Sequence, residues 1–499
     1  MFEPPGTFGR MTDLLDFGTT QLGLAGIGLA FVYLAGALTA LDAVMHARTP
    51  QGSTAWVFAL ATLPLVALPL YWVLGRSKFE DYLTTLRQFD SEVAEGLNSA
   101  TEGPLEPFLI SNDDHADGRE TGEMRAFDEM ATLPFTCGNE VELLIDGKET
   151  FEALFEAMDA AESYLLAQFY IIHDDEIGQR FKRHLIQAAE RGVTVRLMYD
   201  SVGSWKLPRS YRRELDEAGV CICPFTGPRN WLKKLRLNFR NHRKIVVCDG
   251  RVGFVGGLNV GDEYLGRDPE IGPWRDTHLR VRGPIVQGLQ LSYARDWFYG
   301  TREPLDELVW APDRDEADQA ALVLASGPAD EIETCGLLYA HLIESAEERI
   351  WLATPYFVPD GRVLGALQLA ALRGVDVRVL MPRTSDSVFF KWVPYAYLPE
   401  VERAGVKVHL YEPGFMHQKV ALVDRDFAAV GTANFDNRSF RLNFEATVVA
   451  RDGGVCDAVA EMLEADFARS TQISQADLED KSRLFRFAAQ ATRLLAPVL

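Results

Sequence analysis

Two copies of one spaced set of polar side chains stand out in the 499-residue sequence. Each copy has a histidine, a lysine two positions later, an aspartate five positions after the lysine, and an asparagine ten positions after the aspartate. A single histidine–lysine pair is a weak signal, but two copies with identical spacing leave little room for chance. The residues are His242, Lys244, Asp249 and Asn259 in the first copy, and His417, Lys419, Asp424 and Asn434 in the second.

These residue types suit the chemistry of a phosphodiester. One imidazole can attack phosphorus to form a phosphohistidine, while the other protonates the leaving alcohol and then deprotonates the incoming one. The two lysines can supply charge and donors to the non-bridging oxygens, and the amides of Asn259 and Asn434 can donate to oxygens on which charge builds. Cysteines and histidines at zinc-binding spacings are missing from the sequence. We therefore expect a site that uses neither a metal nor another cofactor.

Four acidic residues accompany the two copies. Asp249 and Asp424 belong to the motif and are placed with its catalytic set, although their turn-forming neighbours indicate that they fix turns. A catalytic histidine needs an acceptor for its second ring nitrogen. When the strands that follow the two copies are aligned, Asp276 and Glu445 occupy equivalent positions, which makes them candidates for orienting the histidines. The alternative is that both are solvated acids at strand ends.

The two copies lie within a longer internal repeat. Residues 189–197 are similar to residues 371–379, and the flanking segments also match. In each half, short apolar runs alternate with helical patterns in the order strand, helix, strand, helix, strand. We therefore expect an α/β fold with two similar lobes, over residues 139–310 and 311–470.

Two uncharged apolar runs precede this body. Residues 22–41 and 55–74 each have the 20-residue length that crosses about 30 Å of hydrocarbon at 1.5 Å per residue. Their short connection predicts a two-helix transmembrane hairpin over residues 22–74, after an N-terminal segment of residues 1–21. A cleaved signal peptide is the competing interpretation of the first run.

Charged residues near the runs predict the orientation of the protein. Arg76, Lys78 and Arg87 follow the second run, whereas Arg48 alone lies in the connection. This favours a multi-pass protein of the inner (plasma) membrane with its body on the cytoplasmic side. The flanking segments are residues 75–138, predicted as a linker or loosely folded entry segment, and residues 471–499, an amphipathic segment that lies at the interface or packs on the body.

The net charge of −22 at pH 7 argues against a general nucleic-acid binder, because such proteins hold phosphates with clustered lysines and arginines. Residues 229–244 are a local exception, with seven cations, no acid, and interleaved apolar residues. This run suits an anionic lipid surface, although an ordinary solvated basic face is the alternative. We expect anionic membrane lipid as a partner and no nucleic acid.

The paired motifs resemble the phospholipase D superfamily over about residues 139–470. In that superfamily each half supplies one motif, and the pair forms one active site between the two lobes. The resemblance implies that His242 is the nucleophile and His417 the acid/base, although identical spacing leaves the order open. It also implies that Asp276 and Glu445 contact the catalytic histidines.

Several stretches resemble bacterial cardiolipin synthases in particular. Such enzymes join two phosphatidylglycerol molecules into cardiolipin and release glycerol, so phosphatidylglycerol is the implied partner. Other interpretations are a phospholipase D hydrolase, another headgroup transferase such as a phosphatidylserine synthase, a membrane-tethered nuclease, and a scaffold without activity. The sequence departs from the commonest pattern at Gly257 and Thr432, where serine often stands. The similar stretches are residues 241–244, 256–259, 274–278 and 354–359.

Overall fold

The computed structural model divides the chain into two compact units. One contains the described residues up to Gly75, and the other contains the described residues from Phe79 onward. Most of the predicted basic run at 229–244 lies outside the described residues. These described residues are 9–46, 50–75, 79, 81–89, 103–110, 118–225, 239–384 and 392–496.

The N-terminal unit is helical. Its long first helix contains the whole of the first predicted span, residues 22–41. Within this helix, Gly26–His46 is the segment, among the described residues, that is long and apolar enough to cross a membrane, with a mean hydropathy of 1.9. The helices of this unit are α1 (Gly9–His46), α2 (Pro50–Thr62) and α3 (Pro64–Leu70), followed by a π-helical turn, Tyr71–Gly75.

The second predicted span, residues 55–74, is wrong as a continuous crossing helix. Proline has no backbone N–H and disfavours the helical region for the residue before it, so the chain leaves the helix at Leu63, where φ is −134°. The segment then folds back on α1. Ser53 donates to the carbonyl of Ala43, and the Tyr71 hydroxyl donates to Asp42 at 2.7 Å. Both ends of the segment therefore lie at the same level of α1.

The second unit is built on one large sheet. Among its described residues sixteen strands are joined, and a continuous path of fifteen has the order β20-β14-β13-β11-β16-β17-β19-β10-β1-β9-β7-β6-β2-β3-β4. The central pair β1–β10 is antiparallel. From that pair outward, the strands on the two sides follow the same pattern of connections. The segments that repeat in the sequence occupy equivalent places on the two sides.

The first half and its preceding helices have the following elements: α4 (residues 81–89), α5 (Gly118–Met130), β1 (Thr136–Ile145), α6 (Asp146–Ala160), β2 (Tyr164–Phe169), α7 (Glu176–Glu190), β3 (Thr194–Asp200), α8 (Arg209–Glu217), β4 (Cys221–Phe225), β5 (Arg240–Asn241), β6 (Ile245–Cys248), β7 (Val252–Gly256), β8 (Trp274–Arg275), β9 (Thr277–Arg282) and α9 (Val286–Thr301).

The second half and the C-terminal elements are β10 (Gln319–Ser326), α10 (Thr334–Ser345), β11 (Arg349–Ala353), β12 (Phe357–Val358), α11 (Gly361–Leu372), β13 (Asp376–Pro382), α12 (Val393–Ala396), α13 (Leu398–Ala404), β14 (Lys407–Tyr411), β15 (Phe415–Met416), β16 (Val420–Val423), β17 (Phe427–Gly431), β18 (Phe435–Asp436), α14 (Asn437–Arg441), β19 (Asn443–Arg451), α15 (Gly453–Phe467), β20 (Ser470–Ile473), α16 (Gln475–Glu479) and α17 (Arg483–Thr492).

The prediction of a loosely folded segment over residues 75–138 is wrong for its described parts. Phe79, Tyr82 and Phe89 are buried in the main hydrophobic core, and the Tyr82 hydroxyl donates to Asp296 at 2.6 Å. These aromatic side chains anchor a segment that its polar composition marks as a linker. The sheet also begins at Thr136, before the predicted lobe boundary, because strand β1 starts there.

The C-terminal segment joins the body. Strand β20 pairs with β14, so the sheet extends to Ile473, beyond the predicted end of the second lobe at residue 470. Helix α17 packs its Phe485 and Ala489 against the core, while Leu484 and Phe487 are exposed. Packing on the body therefore describes one face of this helix, and contact with the membrane interface stays a prediction for its exposed apolar face.

The motif aspartates fix the starts of two strands. The Asp249 carboxylate accepts from the backbone N–H groups of residues 162–164, and the Asp424 carboxylate accepts from those of residues 347–349. Both residues have positive φ, 55° and 50°, which aspartate tolerates in tight turns. Each aspartate lies five residues after its motif lysine, across strand β6 or β16, and is therefore roughly 16 Å from that lysine at about 3.3 Å per residue. Their placement in the catalytic set is therefore corrected to a structural role.

We predict that Asp424→Ala destabilises the body, because three backbone N–H groups lose a charged acceptor, at a cost of about 2 kcal/mol or more. Asp424→Asn keeps one acceptor oxygen and should lose less. Thermal unfolding of the detergent-solubilised proteins, followed by circular dichroism, measures the unfolding midpoints of the wild type and of the two variants. Asp457→Ala, which removes an exposed ion pair with Arg425, is the control and should barely move the midpoint. Equal midpoints for all three variants would contradict the structural role.

Candidate active site

Two short parallel strand pairs cross between the halves and carry the histidines. Strand β5 pairs with β19, and β15 pairs with β8. The backbone N–H of His242 then donates to the carbonyl of Phe444 at 2.9 Å, and that of His417 donates to the carbonyl of Arg275 at 2.7 Å. Each histidine backbone is therefore held by a strand of the other half.

The next residue of each crossing strand is the carboxylate that orients the histidine. Nδ1 of His242 lies 3.0 Å from Glu445, and Nδ1 of His417 lies 2.8 Å from Asp276. Both carboxylates are completely buried. When Nδ1–H donates to the carboxylate, the lone pair of a neutral imidazole is on Nε2. The geometry thus prepares both Nε2 atoms to react with a phosphorus or a proton.

The two lysines complete a cationic centre. Nζ of Lys244 donates to the carbonyl of His242 at 2.7 Å, and Nζ of Lys419 donates to the carbonyl of His417 at 2.6 Å. The charges of both lysines act on both imidazoles. The structure therefore brings the two sequence copies together, with His242 and Lys244 between strands β5 and β6, and His417 and Lys419 between strands β15 and β16.

Burial and mutual repulsion lower the basicity of these groups. Burial lowers the pKa of His242 to about 4, with Glu445 opposing and Lys244 reinforcing the shift. Burial and the positive charges of Lys419, Lys244 and His242 also hold the pKa of His417 well below its usual value. Burial lowers the pKa of Lys244 to about 7. The unliganded site therefore favours neutral imidazoles, and a bound phosphodiester anion reverses part of this repulsion.

The two orienting carboxylates have different surroundings. Glu445 also accepts from the hydroxyls of Thr432 at 2.6 Å and Ser439 at 2.8 Å. Burial alone would raise the pKa of Glu445, but His242, Lys244 and the Thr432 hydroxyl hold it below its usual value. Asp276 lacks this hydroxyl pair, and burial raises its pKa despite the charge of Lys419. Glu445 is therefore the more firmly ionised of the two.

The difference extends to the motif position where serine often stands. A Cβ on Gly257 would lie 2.0 Å from a carboxylate oxygen of Asp276, so no side chain fits there. At the equivalent position, Thr432 fits because its hydroxyl donates to Glu445. In the first copy the Asp276 carboxylate fills this space. In the second copy the Thr432 side chain fills it and donates a hydrogen bond to Glu445.

The two motif asparagines make contacts within their own halves. Oδ1 of Asn259 accepts from the backbone N–H of Ile171 at 3.0 Å, and its amide donates to the Tyr264 hydroxyl at 3.1 Å. The Asn434 side chain hydrogen-bonds to Asp436 and, together with other groups, offsets the effect of burial, which raises the pKa of that carboxyl to about 6. These contacts fix loops beside the site, and donation to a phosphate stays a prediction for both residues.

Aromatic rings that the sequence reasoning missed line the histidines. The Tyr170 ring lies 5.0 Å from the His242 ring, and Lys244 Nζ lies 5.6 Å from the same phenol ring. The Trp274 ring lies 5.1 Å from the His417 ring, and the Phe415 ring lies 5.8 Å from it. Tyr170 ends a repeated strand segment, and Trp274 precedes the aligned carboxylate by two residues, so both had a weak signal in the sequence.

Two buried ion pairs support the crossing strands, and these were also missed. Arg243, between the motif histidine and lysine, binds Asp296 at 2.8 Å. Arg275, next to Asp276, binds Asp466 at 2.9 Å. Asp296 and Asp466 come from helices α9 and α15, which follow equivalent strands in the two halves. A buried pair holds its partners firmly because removing one of them leaves an uncompensated charge.

Comparison with known proteins identifies the family of this chain. The family model described as "Cardiolipin synthase, PLD-like domain" matches residues 154–297 and 339–470. The chain belongs to this phospholipase D-like family. Relatives named cardiolipin synthase A occur in Pseudomonas fluorescens Pf-5, 43% identical over 95% of this chain and 98% of the relative, and in Pseudomonas aeruginosa LESB58, 44% identical over 96% and 97%. The predicted resemblance to the phospholipase D superfamily is confirmed.

A solved structure shares the fold. The phosphatidylserine synthase of Haemophilus influenzae Rd KW20 superposes with a TM-score of 0.57 at 15% identity, over 76% of this chain and all of that one. At that identity the likeness concerns the fold alone. The mixed α/β architecture with a phospholipase D-like domain is therefore confirmed.

We predict that anion binding in this family member weakens as the pH rises above about 7, where Lys244 loses its proton. Tungstate stays dianionic across the neutral pH range, so any change of its inhibition constant with pH comes from ionisable groups of the protein and not from tungstate. By linkage the constant should rise up to about tenfold per pH unit above that pKa, until the lysine in the complex also deprotonates.

The Lys244→Met variant should bind tungstate weakly and without this pH dependence, because its side chain carries no proton to lose. Lys148→Met alters an exposed lysine and is the matched control, which should keep the wild-type profile. A wild-type inhibition constant that does not change with pH would show that Lys244 stays charged throughout.

Proposed function

We propose that this protein is a cardiolipin synthase, which transfers the phosphatidyl group of one phosphatidylglycerol to the headgroup hydroxyl of a second and releases glycerol. The observation that carries the proposal is the pair of buried imidazoles, each oriented by a carboxylate of the other half, in a chain that matches cardiolipin synthases along nearly its whole length. Lys244 and Lys419 supply the positive charge for the donor phosphate.

In the first half-reaction, Nε2 of His242 attacks phosphorus, and the bond from phosphorus to the glycerol oxygen breaks. His417 gives its proton to that oxygen, so glycerol leaves as a neutral alcohol. In the second half-reaction, His417 takes the proton of the accepting lipid's hydroxyl, whose oxygen bonds to phosphorus as the bond to His242 breaks. Each step uses one histidine as nucleophile or leaving group and the other as acid or base.

The difference between the carboxylates supports this order of roles. A phosphorylated imidazole carries positive charge, and a carboxylate that stays ionised stabilises it. Glu445, with its pKa held low, is paired with His242. Asp276, whose pKa burial raises, is paired with His417, where a proton must be held and released. The negative charge of the bound phosphodiester raises the low pKa of His417 and so lets it act as an acid.

We predict that the purified wild-type protein converts labelled phosphatidylglycerol into cardiolipin plus glycerol, and that His242→Ala and His417→Ala each lower turnover by at least about a hundredfold. Lipid products resolved over time measure this. His184→Ala, which alters a histidine outside the site that contacts Asp159, is the matched control. Phosphatidic acid as the sole product would make the protein a hydrolase, and DNA cleavage at physiological salt would favour the nuclease alternative.

We also propose that the chain crosses the membrane once, through Gly26–His46, with the body on the cytoplasmic side. The apolar length of that segment and the fold-back of residues 50–75 support a single crossing. If both ends of the fold-back lie on one side, then Arg48, Arg76 and Lys78 all lie on the body's side. Such an excess of cations is typical of the cytoplasmic face.

We predict that Thr7→Cys and Ser77→Cys are labelled from opposite sides of the membrane. A membrane-impermeant maleimide, applied to intact cells and to lysed cells of a Cys221→Ser background, measures this, because Cys221 is an exposed native thiol. Gln51→Cys should share the side of residue 77. Labelling of residues 7 and 77 from the same side, with residue 51 opposite, would instead support the two-helix hairpin.

A further inference from the structure

The two motif histidines have chemically different neighbours at equivalent positions. Two residues before the histidine, Arg240 stands in strand β5 and Phe415 stands in strand β15, and both strands make the same kind of parallel pair with the other half. Four residues after the motif asparagine, Glu263 stands in one copy and Arg438 in the other. The carboxylate of Glu263 is paired with His173 at 3.1 Å.

Both arginines belong to the surroundings of His242. Asn241 and Arg243 bind Asp296, so the alternate residue Arg240 lies on the opposite face of the chain, as His242 does. Arg438 immediately precedes Ser439, whose hydroxyl donates to Glu445, the partner of His242. The crossing of the halves therefore gathers one arginine from each half on the same side of the site.

Tyr170 interacts with the histidine and with both arginines. Its ring lies 5.0 Å from that of His242. The charges of Arg240 and Arg438 both act on its phenol, and the two guanidinium groups also act on each other. Both arginines are partly buried, so water screens their repulsion incompletely. Asp200 offsets part of the charge of Arg240, and its carboxylate also accepts from the backbone N–H groups of Val202 and Gly203.

Such an arrangement suits a phosphodiester. Guanidinium groups bind phosphate oxygens through paired N–H donors, and a tyrosine hydroxyl adds a further donor. The lysine pair already serves the reacting phosphate. A synthase, unlike a hydrolase, must also hold an accepting lipid that carries its own, unreacting phosphodiester. The glycerol headgroup is long enough to bring its hydroxyl to the reacting phosphorus while its phosphate stays outside the lysine pair.

We infer that Arg240 and Arg438, with Tyr170, bind the phosphodiester of the second, accepting lipid. The inference rests on the proposed synthase activity and adds where the acceptor binds. At the equivalent positions of the other copy stand Phe415, whose ring lies 5.8 Å from that of His417, and Glu263, so neither position supplies a guanidinium group. The chemical class of the ligand is an anionic glycerophospholipid with a free headgroup hydroxyl.

The test uses the full-length protein in mixed micelles of labelled phosphatidylglycerol and a neutral short-chain alcohol such as 1-butanol. Cardiolipin forms when the lipid accepts the phosphatidyl group, and phosphatidylbutanol forms when the uncharged alcohol accepts it. Both products come from the same phosphohistidine, so their ratio cancels any loss of folded enzyme. We expect Arg240→Gln and Arg438→Gln each to lower the ratio of cardiolipin to phosphatidylbutanol at least tenfold, and Arg438→Lys to lower it less.

Arg251→Gln removes an exposed arginine that pairs with Asp313, and it should keep the wild-type ratio. If both products fall together in the arginine variants, the arginines serve the donor phosphate or the general attraction of anionic lipid, and the inference is overturned. An unchanged ratio with unchanged rates also overturns it. Failure of the proposed function looks different, because the wild-type protein itself would then make phosphatidylbutanol or phosphatidic acid without cardiolipin.

Discussion

The exchange of carboxylates between the two halves is the constraint on which the site depends. Glu445 orients His242 and Asp276 orients His417, so neither half contains a complete pair. The crossing strands bring the partners together, and the buried Arg243–Asp296 pair holds the chain next to one of them. The continuous sheet that joins the halves is therefore required for chemistry as well as for stability.

Burial imposes a second constraint, since four basic groups share one site with little water. The free site relieves their repulsion by holding the imidazoles neutral, and the pKa of Lys244 falls to about 7. A phosphodiester supplies the missing negative charge, and only then does His417 hold a proton easily. The acid is thus charged when a leaving alcohol is present, which limits unproductive reactions of the empty site.

The repeated spacing was sufficient to predict that the two motif copies share one site and that the body is α/β, because a duplicated strand and turn preserve both. Alignment of the two halves located Asp276 and Glu445. It could not show that each carboxylate contacts the histidine of the other half, because an alignment gives the position of a residue only within its own half. The break at Pro64 was missed because hydropathy measures apolar length and ignores a missing N–H. Asp296 was missed because no local pattern marks a carboxylate that lies 53 residues from its arginine.

A duplicated site starts with equivalent halves, but transfer between two lipids is not symmetric, because the leaving glycerol is neutral and the accepting lipid is charged. The halves differ where this matters. His242, Lys244 and the Thr432 hydroxyl keep Glu445 ionised, whereas Gly257 leaves room only for the Asp276 carboxylate. Two arginines in the surroundings of His242, where the other copy has Phe415 and Glu263, would favour a second anion beside His242 over one beside His417. The two motifs have the same residues at the same spacing, and the residues around them differ. These surrounding residues thus distinguish the two histidines from each other.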